Sequence, residues 1–360
     1  MRILWINHRC PKHPQAGGAE EYVFQISRRL IKKGHEVTLL AERPPGLPYK
    51  EEIDGIGIIR KGSFSTLHLW APLYVARYSR SYDVIIDNIA HVFPFGSPWF
   101  TNRKVVAVVY HVNGSNLRRV LPPALRVFGE ASEKNLPKIY RMFVTVSKST
   151  KSELIKLGVD PSRVWVVYYG IDHILYRPGR RKSDTPTILW LNRFVKYKNP
   201  EHALKAFQIV KKNLPDAKLI MAGDGPERPR IESIARRLGI DNIIFTGRVF
   251  LAQKIKLLQE SWVCLYTSDV EGWGLVALEA AACGTPCVGY AVGGLRESIV
   301  DGVTGFLARP GDFEDLADKI LKIAGDVNTL KRLSQNAVAY ASKFDWDRSA
   351  REFEEVLKIL

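Results

Sequence analysis

Two glutamates separated by seven residues carry the first chemical signal. Glu271 and Glu279 stand in the stretch DVEGWGLVALEAAACG, residues 269–284. From Leu275 to Cys283 this reads as a helix of small and apolar residues, the kind buried on most of its circumference. Glu279 lies in its middle, with no Lys or Arg within four residues on either side. A buried carboxylate needs hydrogen bonds or a proton, and a diol can donate two hydrogen bonds to one carboxylate without any cation. Glu271 falls at the mouth of the same helix. Gly272 and Gly274 remove two Cβ atoms there, so that Trp273, Leu275 and the free helix N–H groups can be approached by a phosphate or a sugar. The competing reading is structural: Glu271 as a charge favoured by the helix dipole, Glu279 paired with a distant Arg.

Other candidates follow the same logic. In ILWLNRFVKYKNP, Arg193 and Lys198 close an apolar run just before a helix, where cations neutralise a departing diphosphate. Gly17-Gly18 open a helix after the first apolar run, and His111 ends another run in VVAVVYHVNG. His91, in IAHVFPFGSPWF, sits among aromatics that could stack on a ligand. Glu42 ends the second apolar run, where a nicotinamide dehydrogenase would hold ribose, but no G-x-G-x-x-G precedes it. Asp345-Trp-Asp347 has the D-x-D spacing of metal-dependent transferases; it opens a helix, where an acid caps. No metal is assigned to it.

The elements that must position these residues alternate strand and helix, twice over. Strands are expected at 2–7, 35–41, 84–87, 105–110, 143–147 and 164–168, with a helix at 19–33. A Gly-, Pro- and charge-rich passage at 171–186 interrupts the pattern. Strands resume at 187–191, 218–222, 243–246, 263–267 and 286–290, so the expectation is two α/β domains with parallel, doubly wound sheets. Ligands of such sheets bind at the carboxyl ends of the strands, and every candidate above lies in or beside such a loop.

Composition agrees with this reading. The 360 residues are 46% hydrophobic and 25% charged, suited to two globular domains. No apolar run reaches the roughly 20 residues that span a bilayer. Four cysteines (Cys10, Cys264, Cys283, Cys287) form no C-x-x-C pair and read as buried thiols of a reducing cytoplasm. The net charge of +16 is uneven: residues 1–170 hold 25 basic against 13 acidic residues, residues 171–360 hold 28 against 24. A basic half points to an anionic partner, although a Lys-rich, thermophile-like surface is a competing explanation.

The stretch EGWGLVALEAAACGTPCVGYAVGGLRESIVDGVTGFLARPGD resembles the signature of retaining nucleotide-sugar glycosyltransferases of the GT-B type, the group 1 family with the E-x7-E motif. GGAEEYVFQISRRLIKKGHEVTLL resembles that family's first loop, helix and second strand, and VTVSKSTKSELIKLGVDPSRVWVVYYGID its crossing into the second domain. Trp273 stands where Phe is commoner, and Asn192 and Asn199 where Gly often occurs.

The resemblance implies two Rossmann-like domains facing a central cleft. It implies an acceptor domain over residues 1–175, joined by a returning helix at 346–360, and a nucleotide-sugar domain over 176–345. It implies that Glu279 holds the donor ribose, Glu271 the transferred sugar, Arg193 and Lys198 the diphosphate, and that Gly17-Gly18 meet that phosphate. Gly272, Trp273, Gly274 and Leu275 then belong to the donor loop. His111 is implied to sit near the donor sugar, although Val112 replaces the acid that usually follows such a His.

The expected function is transfer of a hexose from a UDP- or GDP-sugar to a lipid-linked or glycan acceptor with retention, and without a metal or a resident cofactor. A sugar-nucleotide epimerase of this architecture and a non-catalytic sugar-nucleotide-binding protein are the alternatives. Residues 114–142 combine Arg118, Arg119, Arg126, Lys134, Lys138 and Arg141 with apolar residues, broken by Pro122-Pro123 into two short amphipathic pieces. Their expected partner is an anionic membrane, at the inner face of the cell membrane, and not nucleic acid.

Overall fold

The computed structural model describes residues 1–359; of Ser115, Arg119 and Val120 it describes no side chain. The chain divides into two compact units, one of residues 1–170 with 346–360, the other of residues 171–345.

Unit 1 runs β1 (Arg2–Ile6), α1 (Gly18–Lys32), β2 (Glu36–Ala41), β3 (Lys50–Ile53), β4 (Ile56–Arg60), α2 (Leu67–Tyr78), β5 (Val84–Ile89), β6 (Lys104–Val109), α3 (Leu117–Val120), α4 (Pro123–Ile139), β7 (Met142–Thr145), α5 (Lys148–Lys156) and β8 (Val164–Val166). Its eight-stranded sheet has the order β3-β4-β2-β1-β5-β6-β7-β8. All neighbours are parallel except the β3–β4 edge hairpin. That hairpin was not expected from the sequence. Its turn is Asp54-Gly55, with φ of 51° and 81°, the left-handed pair that a two-residue hairpin requires.

Unit 2 runs β9 (Thr187–Leu191), α6 (Pro200–Asn213), β10 (Lys218–Ala222), α7 (Arg228–Arg237), β11 (Ile243–Gly247), α8 (Leu251–Glu260), β12 (Val263–Tyr266), α9 (Leu275–Ala282), β13 (Cys287–Tyr290), α10 (Leu295–Ser298), β14 (Gly305–Ala308), α11 (Phe313–Ala324) and α12 (Val327–Ala341). Its sheet is parallel throughout, in the order β11-β10-β9-β12-β13-β14. β9 is buried on both faces. Ile188 and Trp190 join the core under α6 and α11, and Leu189 and Leu191 join the core under α9 and α12. Such two-sided burial is why this strand reads TILWL, apolar after its first residue. The boundary between units lies at Gly170/Ile171, because Ile171 and Tyr176 pack into the second of these cores.

The last helix, α13 (Trp346–Ile359), belongs to unit 1. Phe353 stacks on Trp5 with centroids 5.1 Å apart, Asp347 accepts from Arg29 at 2.5 Å, and Glu354 meets Lys33 and His35. Asp347, of the D-x-D stretch, thus serves in a helix–helix ion pair. Among the described residues no group of three His, Cys, Asp or Glu is placed to hold a metal ion, and no helix is long and apolar enough to cross a membrane. All four cysteines are free and buried.

Candidate donor site at the switch point of unit 2

In unit 2 the strand order reverses between β9 and β12, so the loops that follow them diverge and leave room for a ligand between their ends. The β9 loop carries Arg193 and Lys198; the β12 loop carries Glu271 through Gly274. Lys198 donates to Glu271 Oε1, which also accepts from Ser268 Oγ at 2.8 Å. Lys198 is only 9% exposed, so it is no solvated loop lysine. Arg193 is exposed, and its guanidinium reaches Tyr197 Oη at 3.0 Å.

The two loops are tied by polar contacts that the sequence did not announce. Asn199, in the left-handed region at φ 44°, donates through Nδ2 to Thr267 O at 3.0 Å and Asp269 Oδ1 at 2.7 Å. Thr267 Oγ1 donates back to Lys198 O at 2.6 Å, and Asp269 N to Tyr197 O at 2.9 Å. A third loop, after β13, lies against the second. Gly294 N donates to Glu271 O at 2.9 Å, and a Cβ at Gly294 would lie 2.0 Å from Gly272 O. Gly294 is therefore required by close approach. Gly274 is required by its φ of 86° and by Leu295, which would lie 2.6 Å from an added Cβ.

Glu279 sits on α9, 3% exposed, as the small-residue pattern predicts. The structure corrects the expectation that it lacks a cation. Lys254 of α8 places Nζ 2.6 Å from both carboxylate oxygens. The same ammonium holds both oxygens, Oε1 by a hydrogen bond and Oε2 at ion-pair distance. The distant partner of the structural reading thus exists, as a Lys. Leu275 is half-buried at the first position of α9, and Trp273, 2% exposed, packs its indole against Phe344 with centroids 5.3 Å apart.

Gly17, Gly18 and His111 lie on unit 1. Gly17 caps α1, and its N–H donates to Glu20 Oε2 at 2.7 Å. Neither glycine has a positive φ, and an added Cβ would meet nothing closer than 3.7 Å at Gly17 or 3.5 Å at Gly18. The fold itself does not demand glycine there. The turn is fixed from below by a buried network: Asn7 Nδ2 donates to Glu20 Oε1 at 3.4 Å, Asn88 Nδ2 to Asn7 Oδ1 at 2.8 Å, and Tyr110 Oη to Asn88 Oδ1 at 3.0 Å. His111 is half-buried just beyond β6. Val112 N, beside it, donates to Glu153 Oε2 at 3.3 Å, and burial raises the pKa of that carboxyl. Glu42, the acid of the dehydrogenase reading, faces His13 at 3.3 Å and Arg9 at 3.7 Å.

His91 belongs to an aromatic group. It meets His8 edge-on with centroids 4.5 Å apart, while Phe64 stacks on His8 at 4.6 Å and His68 Nε2 lies 3.0 Å from His8 Nε2. Burial, and then His91, His68 and Arg9, push the pKa of His8 down to about 2.

Comparison with known proteins fits this geometry. The family model "Glycosyl transferases group 1" matches residues 175–339, and "Glycosyltransferase Family 4" matches residues 16–174. A D-inositol 3-phosphate glycosyltransferase of Kribbella flavida is 28% identical, over 95% of this chain and 90% of its own. Among solved structures, sucrose-phosphate synthase from Thermosynechococcus elongatus superimposes with a TM-score of 0.85 at 22% identity, covering 99% of this chain and 98% of that one. HepE of Anabaena in complex with UDP-glucose does so with a TM-score of 0.76 at 20% identity, over 100% of both chains.

Proposed function

The chain belongs to the group 1 glycosyltransferases of GT-B fold, and on that premise we propose that it transfers a hexose from a UDP- or GDP-sugar to a lipid-linked or glycan acceptor, with retention at the anomeric carbon and without a metal ion. The observation that carries this reading is the meeting at one switch point of a buried Lys198–Glu271 pair and the amino end of α9, the helix on which the Glu279 carboxylate is buried.

Each part has a task. Glu279 Oε2 accepts from the ribose diol, whose hydroxyls satisfy the buried lone pairs. Arg193, Lys198 and the free N–H groups of α9 face the diphosphate and stabilise the charge that gathers on it as the bond to the anomeric carbon breaks. Glu271 accepts from hydroxyls of the transferred sugar once Lys198 turns to phosphate. It serves to orient the sugar for substitution on the same face. His111 is assigned to the sugar and Gly17-Gly18 to the phosphate, where the absence of side chains permits close approach. A UDP-glucose complex of a protein of this fold supports a nucleotide-sugar donor.

An anionic acceptor suits the 25 basic against 13 acidic residues of the first 170, and the Kribbella relative carries a phosphorylated compound in its name. The four free, buried cysteines support a cytoplasmic location.

Incubation with UDP- and GDP-sugars tests the whole. Nucleotide diphosphate released only in the presence of an acceptor is the expected result. Conversion of the sugar without acceptor marks an epimerase, and binding without turnover a sugar-nucleotide-binding protein; either overturns the proposal.

A further inference from the structure

A cavity of about 490 Å³ lies on unit 1, between α4 and the segment that follows β5. Phe93 and Trp99 form one wall; Ala131, Asn135 and Lys138 of α4 form the other. At about 100° per residue, Phe128, Ala131, Asn135 and Lys138 share one helix face. Phe128 therefore continues the α4 wall by one turn. It is 66% exposed, and Trp99 opposite is 68% exposed.

Two large aromatics stand in solvent at this cavity, Trp99 in its lining and Phe128 one turn further along α4. The charge around it has one sign. Glu133, the acid nearest the cavity in α4, turns inward and accepts from the N–H groups of Asn113 and Gly114 at 2.8 and 3.0 Å. Glu130 lies about 200° from Phe128, on the side of the helix that also carries Lys134 at about 240°. Lys138 closes one end of the cavity, and Lys134 and Arg141 are exposed nearby. The proline break expected at 122–123 does separate α3 from α4, but α4 then continues for 17 residues as a basic, amphipathic helix. Arg119 and Val120, counted in the sequence with this surface, have side chains outside the described residues.

We propose that this surface docks on an anionic lipid bilayer, with Phe128 and Trp99 entering the acyl region, a hydrocarbon chain occupying the cavity, and Lys138 facing lipid phosphates. An apolar slot with a cationic rim and no acid on the same helix face fits a chain with an anionic head. A protein partner has no such charge pattern to commend it. The assignment deepens the acceptor reading above and rests on it for its purpose, since a lipid-linked acceptor would wait at such a surface.

Flotation of the full chain with vesicles of phosphatidylcholine, alone or with one third phosphatidylglycerol, at low and high salt decides the matter. The wild type should float with the anionic vesicles only, and salt should weaken it. Trp99→Ser with Phe128→Ser should lower partitioning at least ten-fold. Lys138→Gln should lower it about five-fold. Far-UV circular dichroism and an unchanged melting temperature establish that the variants are folded. Wild type that stays unbound in every vesicle overturns the proposal. So does a Trp99→Ser, Phe128→Ser variant that floats as well as wild type, or a dimer in sedimentation that this variant abolishes, which would assign the face to a second copy. None of these outcomes touches nucleotide-sugar turnover, which is measured without vesicles.

Discussion

Lys254 and Glu279 form an ion pair in which the ammonium is 2.6 Å from both carboxylate oxygens. The carboxylate is 4% exposed and the lysine side chain 23%. The lysine also lies over the Tyr176 ring, 5.5 Å from its centroid, which fixes it from the other side. A fixed cation keeps the carboxylate in place, and each carboxylate oxygen retains a lone pair that can accept from a ligand donor.

Removing either partner should therefore have different consequences. Glu279→Ala should weaken donor binding by about 1.5–3 kcal/mol, the range for a charge-assisted hydrogen bond, and Glu279→Gln by less, since an amide oxygen still accepts. Lys254→Met should instead lower stability by about 3 kcal/mol, toward the low end for a broken buried pair because the lysine is partly exposed. The double change Lys254→Met, Glu279→Gln should recover part of that loss. Titration calorimetry with the donor and urea unfolding separate the two effects; donor affinity unchanged in Glu279→Ala would falsify the ribose assignment.

Gly294→Ala should damage the site more than the fold. Its Cβ would lie 2.0 Å from Gly272 O, so the β12 loop that carries Glu271 must retreat. Overpacking of this kind costs about 1–3 kcal/mol in stability. A displacement near 1 Å at a reacting centre costs about 100-fold in rate. The expected result is a folded protein with kcat/KM down by that order. Normal turnover in this variant would mean that the position of the β12 loop does not matter.

The alternation of strand and helix, and the strand-end loops at which ligands bind, could be read from the sequence because doubly wound sheets leave long apolar runs such as VVAVV and TILWL. The β3–β4 hairpin could have been read too. Asp54-Gly55 is a strong turn signal, but KEEI and IGIIR flank it with little alternation, and a search for parallel strands passes over them. In the site, Glu271, Glu279, Arg193 and Lys198 were legible because each has an unusual neighbourhood in its own segment. Lys254 was not. In LAQKIKLLQE it looks like Lys256, one more cation on a surface helix, and only the packing of α8 against α9 distinguishes them. Gly293-Gly294 stood in plain view, yet the contact that requires glycine comes from a loop some twenty residues earlier. Trp273 reads as a donor-loop residue, and its sequence neighbourhood does not show that its indole packs against Phe344.

Turnover should survive a chelator. Arg193, Lys198 and the amino end of α9 supply the positive charge that a departing diphosphate needs. Activity in excess EDTA should stay within two-fold of the untreated enzyme by the order of such assays. Loss of turnover in EDTA that magnesium or manganese restores would overturn metal independence and direct attention to Asp269 and Glu271.

The imidazole group of unit 1 should make the protein sensitive to mild acid. His8 is fully buried, and its pKa falls to about 2 because burial, above all, and then His91, His68 and Arg9 oppose a positive charge. The pKa of His68 is lowered as well, again chiefly by burial. The direction follows from linkage. Below an ordinary histidine pKa of about 6.5 the unfolded chain takes up a proton that the folded chain refuses, so the contribution is whole above pH 6.5 and declines as pH falls toward 2. For His8 the slope approaches about 1.4 kcal/mol per pH unit once the pH is well below 6.5. His8→Gln removes the titrating group at the centre of the cluster while keeping a polar partner for His68. It should cost stability at neutral pH through lost packing on Phe64 and Phe95, yet flatten the decline between pH 6.5 and 5. Urea midpoints measured across that range for both proteins provide the check, and parallel profiles would show that His8 is not what couples unit 1 to pH.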